Sequence, residues 1–379
     1  MNYDFDFISQ QLRAIIEPAT HHTHKLEKKL DCRVYKNAYV APYFDWDLSI
    51  GCVIDENGKV VKDSECLEWK ENERYYQLGK SVCKHKKVVF LGFILTGFGH
   101  SYIDDLRKLW FLETNECKTL LSEGAGLVYT TSWNRPLPKQ VIEMLGLAGY
   151  DIARADHIKV LTRFDEVYIP DNSVIASDYG RLYCNEYIEA IDRIKKSIPN
   201  GNVWGKKIYF SRTKFSKGRN KEYGENAIER VFNKMGYSIF IPEDYSIVEQ
   251  IQMLKQCKSF AATEGSVAHL SLFCPPKTDV VIINKAVYLN SHQVMINEFA
   301  DLNVTYIEAH HSIKALPEHP WWGPFYLCIN RNLEKYAGRL LPHLPYWLLP
   351  SYWEYTRNIL YRCYNRARKF FNRVRKAFK

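Results

Sequence analysis

The sequence predicts an α/β protein built from two Rossmann-like domains. Candidate strands and helices alternate through the second half of the chain, which is typical of βαβ units around a parallel sheet. The apolar run at residues 88–91 has the composition of a strand buried on both faces. Residues 199–202, Pro-Asn-Gly-Asn, break a helical pattern and indicate a domain boundary. We therefore expect domains at 1–200 and 201–310 and a separate segment at 311–379.

Each half contributes its own predicted elements, read from the spacing of apolar residues and from turn residues. In the first half, we expect strands at 34–40, 48–53, 87–92, 127–131 and 166–170, and helices at 101–112, 138–146 and 181–197. In the second half, we expect strands at 207–211, 237–241, 259–263 and 279–283, and helices at 225–235, 246–257 and 266–273. Ser246 with Glu249 three residues later is a capping-box pattern, which indicates a helix start.

The charge distribution argues against a nucleic-acid-binding body. The chain has 52 Lys and Arg against 43 Asp and Glu, a net charge of +9. Nine of the basic residues and no acidic residue lie in 356–379, so the rest of the chain is neutral. A nucleic-acid-binding domain is expected to carry its own excess of positive charge. The excess belongs instead to the C-terminal tail.

Cysteine and targeting patterns favour the cytoplasm. The ten cysteines include no C-x-x-C pair and no zinc-type spacing. The N-terminus lacks the apolar core of a secretory signal, and no apolar run reaches the roughly 20 residues of a membrane-spanning helix. Asp45 and Asp47 form an Asp-x-Asp, which indicates either a solvated turn or, less often, a metal ligand pair. We expect a cytoplasmic protein with no bound metal.

The turn at residues 263–266, Thr-Glu-Gly-Ser, is the first candidate site. It follows a predicted strand and precedes a predicted helix, and ligands of open α/β sheets bind at that edge. Gly265 permits close approach of a ligand, amides from Ser266 onward can hold a phosphate, and His269 lies one turn further on. An ordinary strand–helix turn is the alternative.

A second candidate follows the strand at 207–211. Ser211 and Arg212 lead into a basic loop with Arg219, and guanidinium groups suit a diphosphate because they donate two parallel hydrogen bonds. Glu225, near the next helix start, can cap that helix or accept from a ribose hydroxyl. The alternative is a solvated run of charge.

The third candidate is the pair of His100 and Asp104. Four residues apart, they share one face of the predicted helix. Such a pair can deprotonate a hydroxyl nucleophile, with either His100 or Asp104 as the base. A structural histidine that caps the turn is the alternative.

The C-terminal tail is predicted to be a basic amphipathic helix. Apolar residues recur from Leu360 at helical spacing, with basic residues between them. Such a helix suits the surface of an anionic membrane, although docking on the protein itself or on RNA would use the same pattern. The predicted membrane-binding residues are Arg366, Lys369, Phe370, Phe371, Arg373, Lys376 and Phe378.

Three blocks in order resemble glycosyltransferase family 61, which includes bacterial capsular and exopolysaccharide transferases. The first is Gly-His at 99–100 with Asp104 and Leu-Trp at 109–110. The second is Lys-Ile-Tyr-Phe-Ser-Arg at 207–212, followed by Arg219 and Glu225. The third runs from Pro-Glu at 242–243 through Glu-Gln-Ile at 249–251 to Glu-Gly-Ser at 264–266, with His269 and Phe273.

The resemblance implies an inverting transferase of GT-B type that needs no metal or cofactor and uses a nucleotide-sugar, expected to be UDP-linked. His100 and Asp104 would face the acceptor from the 1–200 domain, and the 201–310 domain would bind the donor. The implied donor-binding residues are Ser211, Arg212, Arg219, Glu225, Glu264, Gly265, Ser266 and His269.

With the tail, these features predict an enzyme of capsular or exopolysaccharide assembly. We expect it on the inner face of the cell membrane, with no nucleic-acid partner. Its expected acceptor is a saccharide, either free or linked to a lipid. The alternative is a non-enzymatic, membrane-associated scaffold that binds nucleotides or glycans.

Overall fold

A computed structural model describes residues 1–43, 51–65, 73–97, 99–178, 180–202, 204–215, 222–312 and 323–377. The helices are α1 (Gln10–Thr20), α2 (Asn115–Ser122), α3 (Lys139–Leu147), α4 (Asn185–Ser197), α5 (Glu225–Lys234), α6 (Ile247–Leu254), α7 (Ser291–Phe299), α8 (Arg331–Ala337) and α9 (Pro350–Ala377). The strands are β1 (Asn2–Phe7), β2 (Cys32–Lys36), β3 (Tyr39–Val40), β4 (Val53–Ile54), β5 (Val82–Ile94), β6 (Gly126–Thr131), β7 (Asp156–His157), β8 (Thr162–Pro170), β9 (Val174–Ser177), β10 (Gly180–Tyr183), β11 (Lys207–Phe210), β12 (Glu222–Tyr223), β13 (Ser238–Phe240), β14 (Ser259–Thr263), β15 (Asp279–Asn284), β16 (Asn303–Glu308) and β17 (Phe325–Tyr326).

Two large sheets organise the mixed α/β fold. One is a parallel six-stranded sheet in the order β1-β16-β15-β14-β11-β13. The other is a mixed sheet in the order β4-β3-β8-β5-β6-β7, with β2 also paired to β8. Its central strands β8, β5 and β6 run parallel, whereas β2 and β3 run antiparallel to β8. The predicted α/β class is confirmed.

The chain crosses between the two sheets at its N-terminus. β1 pairs with β16, so residues 2–7 complete the sheet formed mainly by the second half of the chain. A single core also spans both halves, because Leu12, Val89 and Ile282 belong to one cluster of buried side chains. The two sheets are therefore held together by shared apolar packing rather than by the linker alone.

Several local predictions are confirmed by the structure. Ser246 and Glu249 form the capping box at the start of α6, with the Ser246 hydroxyl accepting from the Glu249 amide at 3.2 Å. The sequence Asp-Glu-Asn-Gly at 55–58 predicts a hairpin turn. The turn forms, with the Asp55 amide donating to the Lys59 carbonyl at 2.9 Å. The strand at 87–92 extends over 82–94 and is buried through its second half.

Three predicted helices form differently. Residues 101–112 lie in consecutive 3₁₀ turns over His100–Tyr102, Asp104–Leu106 and Leu109–Glu113, interrupted by Ile103 at φ −122° and ψ −77°. The predicted helix at 181–197 starts late, because 180–183 pair with β9 as strand β10. The helix predicted at 266–273 is a 3₁₀ helix over Ala268–Phe273. Helical spacing alone does not distinguish these short turns from an α-helix.

The C-terminal helix α9 is anchored at its start and exposed along the rest. Tyr355 and Ile359 are buried against Tyr223 and Tyr326, and the side-chain amide of Asn358 donates to the Tyr223 hydroxyl at 3.0 Å. Beyond Ile359 most side chains of α9 are exposed. Within the described residues, no helix combines the length and the apolar character needed to cross a membrane.

Candidate active site

His100 and Asp104 are in contact although they do not lie on an α-helix. The Nδ1 atom of His100 lies 2.6 Å from Oδ2 of Asp104, within hydrogen-bond distance. The 3₁₀ turns bring the two side chains together because Ile103 breaks the helical path between them. The Asp104 side chain is 3% exposed, whereas that of His100 is 48% exposed. The imidazole is therefore about half exposed, whereas the carboxylate that it contacts is buried.

Charge on this pair shifts both pKa values. Burial alone would lower the pKa of His100, but the hydrogen bond and the charge of Asp104 outweigh it and raise that pKa above its ordinary value. Burial would also raise the pKa of Asp104, but contacts with His100 and His292 hold it well below the usual range. Asp104 is therefore ionised at neutral pH and strengthens His100 as a base.

Arg181 and His292 complete the surroundings of Asp104. The guanidinium of Arg181 lies 3.5 Å from Oδ1 of Asp104, and Nε2 of His292 lies 3.3 Å from Oδ2. Arg181 comes from β10 and His292 from α7, so both reach Asp104 only through the tertiary fold. Neither has a local sequence motif that would have identified it.

His100, Asp104 and His292 are the side chains that could hold a metal ion within the described part of the chain. One ligand atom from each lies within 4.8 Å of the others, and two imidazoles with a carboxylate suit a transition metal. The close hydrogen bond within the His100–Asp104 pair and the guanidinium of Arg181 already neutralise the carboxylate. The same side chains can also transfer a proton, through the hydrogen bond between His100 and Asp104. Asp45 and Asp47 lie outside the described residues.

The turn after β14 packs against Gly99, the residue that precedes His100. Gly99 packs so closely on Ser266 that a Cβ at Gly99 would lie 2.5 Å from the serine Oγ. Gly265 has a φ of +122°, which a glycine adopts without strain. The amides of Gly265 and Ser266 donate to no group among the described residues. The 3₁₀ helix begins only at Ala268, so the turn itself, rather than a helix N-terminus, offers these donors.

Lys285 places a positive charge beneath this turn. It follows β15 directly, its side chain is 5% exposed, and its Nζ would lie 3.3 Å from a Cβ at Gly265. The ammonium also lies 4.7 Å from the centre of the Phe325 ring. Sequence reasoning missed Lys285. Its position at the carboxyl end of a strand, next to the end of β14, is the signal that could have identified it.

Glu222 joins Lys285 to Arg212 in a buried network. Its Oε1 accepts from Lys285 Nζ at 2.8 Å and lies 3.3 Å from Nε of Arg212, while its Oε2 accepts from Thr263 at 2.8 Å. Burial would raise the pKa of Glu222, but Lys285 and Arg212 outweigh it and lower the pKa. We call these four residues the Glu222 network. It holds two cations at one edge of the parallel sheet.

Glu225 and Ser211 support the loop that carries Arg212. The Glu225 carboxylate accepts from the Arg212 amide at 3.1 Å and from the Tyr209 hydroxyl at 3.0 Å. The Ser211 hydroxyl hydrogen-bonds to Glu229 and lies 2.8 Å from that of Thr213. Both side chains are buried and already form hydrogen bonds within the protein, and they support the backbone at Arg212. Burial, with the charge of Glu222, raises the pKa of Glu225 to about 8.

Glu264 and His269 are also buried. The Glu264 carboxylate accepts from Asn284 at 3.2 Å, and burial raises its pKa to about 8. The His269 ring centre lies 5.8 Å from that of His292, on the His100–Asp104 side of the turn. Burial, with the charge of His292, lowers the pKa of His269 to about 3, so its ring is neutral. Both side chains therefore lie in the interior beside the turn.

The remaining predicted residues are in the tail and in one loop. Arg219 and Phe378 lie outside the described residues, as does the Lys376 side chain. The other predicted tail residues are exposed on α9, namely Arg366, Lys369, Phe370, Phe371 and Arg373.

Comparison with known proteins matches this site to one family. The model of the family described as Glycosyltransferase 61 matches residues 98–281. Residues 98–281 belong to glycosyltransferase family 61. This glycosyltransferase region includes both the His100–Asp104 pair and the Glu222 network except for Lys285, as well as the turn at Gly265. No curated protein matches the chain.

Proposed function

We propose that the protein is an inverting glycosyltransferase that moves a sugar from a nucleotide-sugar, expected to be UDP-linked, to a saccharide acceptor. The observation that carries the proposal is the packing of Gly99 on Ser266. It brings a base next to a turn with free amides and a buried lysine. Direct displacement of a diphosphate requires a base and an anion site close to each other.

The proposed reaction is a single displacement. The His100–Asp104 pair takes the proton of the acceptor hydroxyl while that oxygen attacks the anomeric carbon of the donor. The bond from that carbon to the diphosphate oxygen breaks, and the configuration at carbon inverts. Negative charge then develops on the diphosphate, where Arg212, Lys285 and the amides at 265–266 stabilise it. GT-B architecture is part of this proposal and is supported by the presence of two large sheets with parallel strands.

We propose that these cations replace the divalent ion that other transferases use on the diphosphate. Two cations that share one carboxylate leave a net positive charge at this site, and the amides at 265–266 add hydrogen-bond donors for the diphosphate. Calorimetry with the uridine, guanosine, cytidine and thymidine diphosphates tests the donor site. We expect one of them to bind, and turnover to persist with chelator. Failure of all four to bind, or loss of turnover with chelator, contradicts the proposal.

A turnover assay distinguishes the transferase from the scaffold alternative. A protein that binds a nucleoside diphosphate but neither hydrolyses nor transfers any sugar of the matching nucleotide-sugar would support the scaffold. Mutation of the His100–Asp104 pair would then leave nucleotide binding and cellular function unchanged, whereas the transferase requires loss of function.

We further propose that α9 holds the enzyme at the cytoplasmic face of an anionic membrane, where its acceptor would be assembled into polysaccharide. The side chains of Phe370 and Phe371 are 62% and 66% exposed, with basic residues beside them. Each basic residue near an anionic surface contributes about 1 kcal/mol. The start of α9 packs on Tyr223, the residue after Glu222, so the membrane helix would adjoin the donor side of the cleft.

Vesicle sedimentation tests the membrane proposal. We expect the wild type to sediment with phosphatidylserine-containing vesicles but not with phosphatidylcholine alone. The double variant Phe370→Glu and Phe371→Glu should remain in solution. Leu147→Glu, an exposed apolar position on α3, is the matched control and should sediment like the wild type. Equal sedimentation of the double variant would contradict the proposal.

A further inference from the structure

Trp133 is an exposed aromatic residue just beyond the carboxyl end of β6 in the mixed sheet. It lies two residues after the end of β6 and is 51% exposed. β6 pairs with β5 through Thr131 and Ile94, so the loop after β6 leaves the sheet beside the loop that leads to His100. Trp133 therefore lies at the edge from which the His100–Asp104 pair projects.

The backbone at Trp133 is held in a costly conformation. Trp133 has a φ of +52° and Asn134 a φ of +50°, both in the left-handed region. For residues other than glycine, such conformations cost on the order of 1–3 kcal/mol each and persist only where the surroundings impose them. Strain of this kind concentrates at ligand-binding positions, which directs attention to the exposed ring.

Hydrogen bonds on both sides of Trp133 impose this conformation. The Ser132 hydroxyl donates to the Leu95 carbonyl at 2.6 Å and lies 3.0 Å from that of Thr96. The Thr131 hydroxyl donates to the Arg135 carbonyl at 2.6 Å. The loop that presents Trp133 is thus fixed to the end of β5.

Leu95 also connects this loop to the His100–Asp104 pair. The Leu95 amide donates to Oδ1 of Asp105 at 2.9 Å, and Asp105 is the neighbour of Asp104. Ser132 and Asp105 therefore bind the same residue, Leu95, one through its carbonyl and one through its amide. A molecule bound on Trp133 would be held in a fixed position relative to the His100–Asp104 pair.

The surroundings of the Trp133 ring combine apolar and polar groups. The ring centre lies 5.5 Å from that of Tyr43, which stacks in turn on Phe93 at 5.7 Å. The exposed guanidinium of Arg135 lies 5.1 Å from the centre of the Trp133 ring. An aromatic surface beside a forked donor matches a pyranose, which has an apolar face of C–H groups and a rim of hydroxyls.

We propose that Trp133 and Arg135 form a saccharide-binding subsite for the acceptor, with one sugar ring stacked on the indole. This rests on the proposed glycosyltransferase function and names the residues that select its acceptor. One exposed indole with a guanidinium against its ring fits a sugar ring better than a protein partner, whose interface would need a far larger apolar area.

The test uses the full-length protein on an array of defined oligosaccharides. Trp133→Gly removes the indole, and glycine adopts the left-handed backbone without strain, so this variant should fold at least as well as the wild type. Trp133→Phe keeps an aromatic surface. Trp353→Ala, at an exposed tryptophan on α9, is the matched control.

We expect the wild type and Trp353→Ala to bind the same glycans. Trp133→Gly should bind them about 10- to 100-fold more weakly, because it loses a central aromatic contact. The affinity of Trp133→Phe should lie between those of the wild type and Trp133→Gly. Binding by Trp133→Gly within twofold of the wild type, or no glycan bound by the wild type, would overturn the subsite.

Calorimetry with nucleoside diphosphates on the same proteins separates the two proposals. If the wild type and Trp133→Gly bind a nucleoside diphosphate equally while their glycan binding does not differ, the subsite alone is wrong. If the wild type binds no nucleoside diphosphate, the proposed transferase function itself fails.

Discussion

Both the Glu222 network and the His100–Asp104 pair contain a buried carboxylate, but their partners differ in exposure. The partners of Glu222, Lys285 and Arg212, have side chains that are 5% and 12% exposed. The partner of Asp104, His100, is 48% exposed. A buried carboxylate whose cations are mostly buried fixes charge in place, whereas an exposed imidazole on a buried carboxylate can exchange its proton with a ligand or with solvent. This difference in exposure separates the proposed anion site from the proposed base.

The largest effect is expected from the pair. Asp104→Asn should lower the transfer rate by about 10²- to 10⁴-fold, the usual range for general-base catalysis. If His100 is the base, wild-type activity should fall as the pH drops through a midpoint above 6.5, because Asp104 raises the pKa of His100. The residual activity of Asp104→Asn should fall at a lower pH. The pH–rate profiles measure both.

A wild-type midpoint below pH 4 would instead identify Asp104 as the base, because its pKa lies below the ordinary range. His100→Gln provides the second comparison. It removes the titrating imidazole and should abolish the limb near neutral pH if His100 is the base.

Arg212→Ala should produce the next largest effect. It removes one of the two cations of the Glu222 network, and loss of one group that stabilises a leaving group lowers the rate by about 10²- to 10³-fold. Nucleoside diphosphate binding by calorimetry should weaken in parallel. Lys214→Ala is the control, because this neighbouring lysine is exposed and pairs with Asp244 at 2.7 Å. Equal losses in both variants would show that general positive charge, rather than the network, matters.

Glu264→Gln tests the protonation of a buried carboxyl group next to the Glu222 network, and its expected effect is smaller. Burial raises the pKa of Glu264 from an ordinary 4.5 to about 8, so folding takes up a proton between those values. The free energy of unfolding should therefore decrease as the pH rises through this window, by at most about 1.4 kcal/mol per pH unit for this group. Denaturant unfolding at pH 5 and pH 8 should show a weaker decrease in the variant. An unchanged decrease would mean that Glu264 is ionised in the fold.

The smallest effect is expected outside both sites. Ser246→Ala removes the side-chain acceptor of the capping box at the start of α6 and should cost about 1 kcal/mol of stability. The transfer rate of the folded variant should stay at the wild-type value. Thermal unfolding together with a rate assay checks this, and a lowered rate without a lowered stability would show that α6 contributes to the cleft.

The amino-acid sequence by itself determined the local features of this protein. The capping box at Ser246, the turn at 55–58 and the glycine at 265 depend on residues within a few positions of each other, so their patterns could be recognised directly. The His100–Asp104 contact was also predictable from spacing, although through a helix that does not form. The ordered motifs further predicted the family, which the match over 98–281 confirms.

Only the tertiary structure decided which distant groups share a site. Lys285 meets Glu222 across 63 positions, and His292 meets Asp104 across 188, and no local pattern records such pairs. Packing likewise decided that residues 100–113 form 3₁₀ turns instead of an α-helix. It also decided that β1 pairs with β16. Periodicity records which face of a segment is apolar. Which other segment covers that face is decided by the packing of the whole chain.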